Sequence, residues 1–410
     1  MPKADVNEQI GLIKRGTVEI IEEGQLKEKI KKSISEKRPL VVKAGFDPSA
    51  PDIHLGHTVL LRKLAHFQKL GHKVIFLIGD ATALVGDPSG QSQTRKMLTQ
   101  LEVEKNAATY EKQVSKILDT KSQKIFSRMH NNDWFSKFDF GKFVNLSQKY
   151  TVARLLERDD FEKRLKENKP ISFLELFYPL MQGYDSVQLK SDIEIGGTDQ
   201  KFNMLVGRDL QRSYDQEPQI VITMPLLEGT DGVQKMSKSL GNYIGINESP
   251  KEMFGKIMSI SDELMWKYYE LLTDVSMDEI AAMKKDASEN RLNPKDAKVK
   301  LAKIIIEFYH SKDAAKKAEE EFENVFKKRG LPEDIQDYST DETERLVWEL
   351  IKNAQLASTS SEAIRDIKQG AVSIDGAKVI DINAKVKPKD GMILKVGKRL
   401  FRRISIRRAP

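Results

Sequence analysis

The stretch from Pro39 to Asp80 reads strand, helix, strand, and nothing else in the chain restricts its fold as strongly. "PLVVKAGF" and "HKVIFLIGD" are apolar runs bounded by turn formers. Between them "HTVLLRKLAHFQKL" repeats its apolar positions with a helical period and closes at Gly71. Two strands joined through a helix lie parallel in one sheet. "SDIEIGG" (191–197) and "QIVITMPLL" (219–227) suit later strands of that sheet. The predicted class is therefore α/β, with a doubly wound, mainly parallel sheet.

Flanking segments read differently. Residues 1–38 suit an amphipathic helix, with Ile10, Ile13, Ile20, Ile21 and Leu26 among charges. Residues 142–182 look mainly helical and suit an insertion or a packing surface before "DIEIGG". From 251 to 328 the pattern is helical, with Lys/Glu-rich faces. "RGLPEDIQDYSTDE" (329–342) is rich in turn formers and reads as a linker. Two helices follow ("ERLVWELIKNAQL", "SSEAIRDIKQG"), then short strands ("AVSIDGAKV", "GMILKVGKRLFRRI") with Asp375-Gly376 as a turn. The expected division is a catalytic domain at 1–228, a helical domain at 229–328, a linker at 329–344 and a small α+β domain at 345–410.

Composition narrows the function classes. The chain has no cysteine, which excludes disulfides and thiolate metal sites and fits a reducing, cytoplasmic setting. No apolar stretch is long enough to span a bilayer, and the acidic N-terminus suits neither a signal nor a transit peptide. The net charge of +7 is local. The last twenty residues carry Lys395, Lys398, Arg399, Arg402, Arg403, Arg407 and Arg408 and no acid; setting these seven aside leaves 61 basic against 61 acidic residues. Such a patch points to a polyanion, with a solvated basic tail as the alternative.

Two short segments carry chemistry. "HLGH" places His54 and His57 one turn apart at the start of the helix. A helix N-terminus offers free N–H groups and partial positive charge, which suits phosphate. Gly56 leaves room for a flat ring beside the backbone. A zinc site would want a third ligand and an i, i+4 pair, and neither is evident; plain surface or core histidines remain the other alternative. "DGVQKMSKSLGN" (231–242) sets Lys235 and Lys238 around Met236, Ser237 and Ser239, between glycines, which reads as a cationic loop. In "ELFYPLMQGYDSVQ" (175–188), Tyr178, Gln182 and Asp185 fall at i, i+4, i+7 on one helix face.

Together "HLGH" and "KMSKS" resemble the paired signatures of the class I aminoacyl-tRNA synthetases, in the expected order and on the expected elements. The Tyr/Gln/Asp stripe, "IGGTDQ" (195–200) and "GDPSG" (86–90) resemble the tyrosyl branch, of the type sometimes called type two. "SSEAIRDIKQGAVSIDG" (360–376) resembles a small S-four-type RNA-binding domain. The resemblance runs over nearly the whole chain. It implies a Rossmann-like catalytic domain that activates tyrosine with ATP, releases pyrophosphate and transfers tyrosine to its tRNA. A tryptophanyl-type relative and a non-catalytic RNA-binding paralogue are the competing readings.

By that resemblance His54, His57, Lys235, Lys238 and Arg95 act on the phosphates. Tyr178, Gln182, Asp87 and Gln200 hold the amino acid's ammonium and orient its carboxylate, and Asp185 takes the phenol. Gly45, Asp47, Gly56, Gly197, Asp199, Met236 and Ser237 join the ATP region. Arg365, Lys368, Lys378, Lys398, Arg399, Arg402 and Arg403 are the RNA candidates. Lys43 stands where the better-studied branch has a tyrosine that touches the phenol, so Lys43 is the candidate for a second polar contact. Gln91 stands where that branch has a lysine near the pyrophosphate, and Ala83 where it has a glycine after the Thr matching Thr82. The resemblance also implies ATP with Mg²⁺, no structural metal, a homodimer, and no membrane or DNA partner.

Overall fold

A computed structural model describes residues 4–89, 98–326, 335–397 and 400–406. The chain forms two compact units, 1–318 and 319–410.

The first unit is built on a six-stranded sheet. Its strands are β1 (Glu19–Ile21), β2 (Val41–Phe46), β3 (Lys73–Ile78), β4 (Phe126–His130), β5 (Ile193–Gly197) and β6 (Ile220–Met224), in the order β1-β6-β5-β2-β3-β4. All neighbours are parallel except β1, which runs antiparallel to β6. From β2 the chain winds outward through β3 to β4, then returns to β5 on the other side of β2. The winding direction therefore switches between β2 and β5, where α/β sheets open a crevice at the carboxyl ends of their strands. Val74, Val42, Ile193 and Ile220 lie side by side across the sheet, all fully buried. Each contributes roughly 1.5–3 kcal/mol by leaving water. The doubly wound α/β expectation holds.

Three differences from the sequence reading have physical causes. The N-terminal segment is two helices, Val6–Lys14 and Glu23–Ser35, separated by β1. Gly16, at φ 64°, ends the first helix, and Ile20 pairs with Ile222 at the sheet edge. The strand β4 escapes the apolar-run criterion because its side chains are mostly half-buried at the other edge. The helices Pro250–Ser259, Asp262–Leu272, Met277–Ser288 and Pro294–Tyr309 group with the sheet in the first compact unit. Asp262–Leu272 packs on Leu55–Lys69, and Arg62 lies 5.0 Å from the Phe308 ring centroid.

The helix Phe173–Leu189 crosses beneath the crevice. Ser172 and Glu175 form its capping box. Glu175 also receives the buried guanidinium of Arg164, with Nη1–Oε1 at 2.6 Å and Nη2–Oε2 at 3.1 Å. One carboxylate thus starts this helix and neutralises a buried cation from the preceding insertion.

The second unit contains β7 (Asp337–Thr340), β8 (Arg345–Leu346), β9 (Val372–Ile374), β10 (Ala377–Val379), β11 (Lys385–Val386), β12 (Ile393–Val396) and β13 (Leu400–Ile406). Five of these form a sheet in the order β10-β9-β12-β13-β7. The helices Val347–Asn353 and Ser360–Lys368 cover one face through Leu350, Ile351, Ala363, Ile367, Leu394 and Ile404. Asp375 and Gly376 both have positive φ, as the two-residue hairpin between β9 and β10 demands. The expected linker is not simply a linker. Residues 329–334 lie outside the described residues, but Asp337–Thr340 forms an edge strand parallel to β13. A polar edge strand carries no apolar run that would reveal it.

Candidate active site

The crevice at the β2/β5 switch is a cleft of about 800 Å³. The end of β2 supplies Gly45 and Asp47. Gly197 and Asp199 come from the end of β5, His54 and His57 from the following helix, and Lys235 to Lys238 from a loop across the opening.

At the phosphate end, His54 caps the helix Leu55–Lys69. The two imidazoles stack, with centroids 3.8 Å apart and planes 27° apart. The His54 backbone N–H donates to His57 Nδ1 at 3.3 Å. That bond assigns the His57 proton to Nε2, leaving Nε2–H as a donor. Burial, then mutual repulsion and Lys238, push His54 down to about 2; burial, then Lys238, push His57 to about 4. Both rings are therefore neutral donors at pH 7. His54 Nδ1 is buried without a hydrogen-bond partner among the described residues. A Cβ at position 56 would stand 3.0 Å from the His54 ring and 3.4 Å from Met236 Cβ, so any larger residue would push the His54 ring by a few tenths of an ångström.

The two signature segments are strapped together. Leu55 N donates to Ile244 O (2.9 Å), Ile246 N donates to Ile53 O (3.1 Å), and His54 bridges Gly245 antiparallel. Gly56 N also donates to Met236 Sδ at 3.3 Å. Asn242, unremarked in the sequence, shapes the loop from inside. Its Oδ1 accepts from Ser237 N (2.8 Å), and its Nδ2 donates to Asp231 Oδ2 (2.7 Å). The lysines rest on carboxylates at the rim, Lys235 on Asp199 at 3.4 Å and Lys238 on Asp52 at 3.5 Å. Arg95 and Gln91 lie outside the described residues.

The inner end is a continuous polar network. Tyr178 Oη and Thr82 Oγ1 each donate to Asp47 at 2.8 Å. Gln200 Nε2 donates to Asp87 Oδ2 (2.8 Å), Asn203 Nδ2 donates to both Gln182 Oε1 (2.9 Å) and Gln200 Oε1 (3.0 Å), and Gln182 Nε2 donates to Glu194 Oε1 (3.2 Å). Asp47, placed with ATP by the sequence, thus sits at the junction of both ends. Asp185 is buried on the same helix face. It accepts from Trp134 Nε1 (3.0 Å) and Asn131 Nδ2 (3.4 Å), and burial pushes its carboxyl up to about 7.

Five residues that the sequence did not single out complete this network: Asn131, Trp134, Glu194, Asn203 and Arg158. Buried Arg158 ties Asn203 Oδ1 (3.1 Å) to Ser89 Oγ (2.6 Å). No local spacing marks them, because they arrive from four separate segments: the turn after β4 (Asn131, Trp134), β5 (Glu194), the helix Lys201–Ser213 (Asn203) and the start of the helix Asp159–Lys166 (Arg158). Lys43 stands apart from them. It is not among the residues that line the cleft; it is fully buried, with Nζ 2.9 Å from Glu194 Oε1, and Glu194 is the member of the pair that faces the cleft.

In the second unit, Lys378, Lys395 and Arg403 lie on the sheet face opposite the helices, as the register of Lys378 with Ser373, Ser373 with Lys395 and Ile393 with Arg403 requires. Arg402 alternates to the other face, and Arg365 and Lys368 are exposed on the covering helix. The RNA candidates therefore do not share one surface. Lys398 and Arg399 lie outside the described residues.

Comparison with known proteins agrees with this geometry. Residues 35–327 match the family model of class I tRNA synthetases (W and Y), and residues 321–403 match the C-terminal domain of tyrosine–tRNA ligases. The tyrosine–tRNA ligase of Carboxydothermus hydrogenoformans is 55% identical, covering 98% of this chain and 99% of its own. That of Moorella thermoacetica is 51% identical, covering 98% and 96%. A truncated mitochondrial tyrosyl-tRNA synthetase of Aspergillus nidulans shares the fold at 22% identity and TM-score 0.64, over 79% of this chain and 95% of that one. The Archaeoglobus fulgidus tyrosyl-tRNA synthetase, solved with L-tyrosine, does so at 22% identity and TM-score 0.61, over 77% and 99%. The chain belongs to the class I aminoacyl-tRNA synthetase family, in its tyrosine–tRNA ligase branch.

Proposed function

We infer that the cleft joins the carboxylate of L-tyrosine to the α-phosphate of ATP, and that the chain then passes the tyrosyl group to tRNA. The observation that carries this reading is the strap. It holds two neutral imidazole donors and a two-lysine loop at one end of a cleft whose other end is lined by Asp87, Tyr178, Gln182, Asp185 and Gln200. A tyrosine carboxylate oxygen attacks the α-phosphorus, the bond to the bridging oxygen breaks, and pyrophosphate leaves with the electron pair. Charge builds on the phosphoryl oxygens, and fixed donors aimed at them lower the barrier without reorganising. His54 and His57 donate from the helix N-terminus, and Lys235 and Lys238 leave their carboxylates to meet the leaving group. Met236 and Ser237 carry the loop backbone. ATP enters as its magnesium complex, as substrate. Asp87, Tyr178, Gln182 and Gln200 receive the ammonium and set the carboxylate, Asp185 accepts from the phenol, and Gly45, Asp47, Gly197 and Asp199 border the nucleoside. The hydroxyl of the tRNA 3′ end then attacks the acyl carbon and AMP leaves. Charging of this kind serves translation, and we place it in the cytosol.

The purified chain should exchange labelled pyrophosphate into ATP when tyrosine is present, and stay near background with tryptophan or phenylalanine. Exchange that is independent of tyrosine, or faster with tryptophan, would sink the assignment.

We further propose a homodimer formed through the insertion helices. Phe140 (81% exposed), Val152 and Phe173 (67%) crowd around the helices Phe140–Ser147, Val152–Leu155 and the start of Phe173–Leu189. Such apolar exposure suits a second copy of the same face. Sedimentation should give twice the chain mass, falling to one chain mass in Phe140→Glu/Phe173→Glu. A monomeric parent, or a variant that still dimerises, contradicts the proposal.

For RNA, the outward sheet face with Lys378 and Arg403 is proposed to contact phosphates, with Arg365, Lys368 and Arg402 contributing from other faces. Replacing Lys378 and Arg403 by alanine should reduce the slope of log affinity for tRNA against log salt by about 1.4–1.8, at 0.7–0.9 per lost contact. An unchanged slope would leave those two residues as solvated surface.

A further inference from the structure

At the amino-acid end of the cleft lies a buried ion pair, of which Glu194 lines the cleft and Lys43 does not. Lys43 on β2 and Glu194 on β5 are 0% and 2% exposed, with Nζ–Oε1 at 2.9 Å. Glu194 is fully engaged. Its Oε1 also accepts from Gln182 Nε2 (3.2 Å), and its Oε2 accepts from Ser186 Oγ (3.1 Å) and from Gln219 Nε2. Lys43 Nζ also reaches Gln182 O at 3.4 Å. The pair therefore grips the helix that carries Gln182 and Asp185. A buried pair of this kind is weak evidence for stability, since well-packed apolar residues often do as well.

We propose that Lys43 is a specificity-setting residue: through the buried pair with Glu194 it fixes Gln182 and supplies the positive field that keeps Asp185 an ionised acceptor for the substrate's phenol. This rests on the reading of Asp185 given above. The groups facing Asp185 support it. Lys43 faces it from β2, Glu194 from β5, Asn131 and Trp134 from the turn after β4, and Tyr178 from its own helix. Thr82, on the helix Asp80–Val85, reaches it only through Asn131. Charged groups on the other packed elements point elsewhere. Asp80 pairs with His130, Lys142 bonds Lys137 O, Arg154 covers Tyr150, and Arg208 turns to Gln219 O and Glu22. Lys43 thus favours the ionised form of Asp185, and Glu194 opposes it. Burial lifts the Asp185 carboxyl to about 7 even so, which leaves little margin at neutral pH. The sign follows. A raised carboxyl is protonated below that value, so the phenol's acceptor is lost as pH falls through about 7. Phenylalanine, which has no proton to give, is indifferent to that change.

The test is equilibrium dialysis of tyrosine and of phenylalanine between pH 6 and 9, on the parent and on Lys43→Met/Glu194→Gln, which leaves no unpaired buried charge. In the parent, tyrosine affinity should fall below about pH 7 while phenylalanine affinity stays flat. In the double variant the tyrosine midpoint should move up by about one pH unit, and the tyrosine preference at pH 7 should drop about fivefold. General damage to the pocket would weaken both amino acids alike and leave the midpoint where it was, which overturns the proposal. A flat tyrosine profile in the parent also overturns it, and that arm does not depend on any variant folding. Asp185→Asn separates the two levels. If it abolishes the preference while the double variant keeps it, the pocket reading stands and the role of Lys43 falls. If Asp185→Asn keeps the preference, both fall.

Discussion

Everything at the phosphate end depends on the bridge between Ile53–Leu55 and Ile244–Ile246. Ile53, Leu55, Ile244 and Ile246 are all buried, so the backbone bonds they make are shielded from water. Each such bond is worth about 0.5–1.5 kcal/mol net, and each buried side chain about 1.5–3. The lysine pairs are of another order. Lys235–Asp199 and Lys238–Asp52 are partly exposed and worth about 0–1 kcal/mol each. The comparison decides which part holds and which yields. The strap fixes the root of the loop against the histidine helix, while the lysines can exchange their carboxylates for a triphosphate at little cost.

The amino-acid end follows a different economy. Polar groups there are buried, and each unsatisfied one would cost more than a bond returns. The network therefore closes on itself. Asp47 is satisfied by Tyr178 and Thr82, Gln182 by Asn203 and Glu194, and Asp185 by Trp134 and Asn131. On the proposed reading of Asp185, selectivity rests on this closure, because an amino acid that offers no donor leaves a buried carboxylate one partner short. Glu175, which starts the helix and holds Arg164, anchors the same stripe to the insertion.

What the sequence disclosed was what local periodicity can carry. β2, β3, β5 and β6 were legible as apolar runs, and His54, His57, Tyr178, Gln182 and Asp185 as helical spacings. β1, with three residues, and β7, with a polar edge composition, offered no such signal. Asn131, Trp134, Glu194, Asn203, Arg158 and Asn242 meet the site only through tertiary folding. Lys43 was noticed without its partner. Its position in the chain suggested a substrate contact, whereas an acid on the neighbouring strand β5, Glu194, holds its ammonium in a buried pair.

The central claim is that the strapped loop delivers its lysines to the transition state and not to the resting substrate. The direct measurement is the single-turnover rate of tyrosyl-adenylate formation in Lys238→Ala at saturating tyrosine and ATP, beside its tyrosine dissociation constant. The account predicts a rate lower by about 10²–10³, as for loss of a fixed oxyanion donor, with tyrosine affinity unchanged. A rate equal to the parent's, or a loss confined to tyrosine affinity, would contradict it.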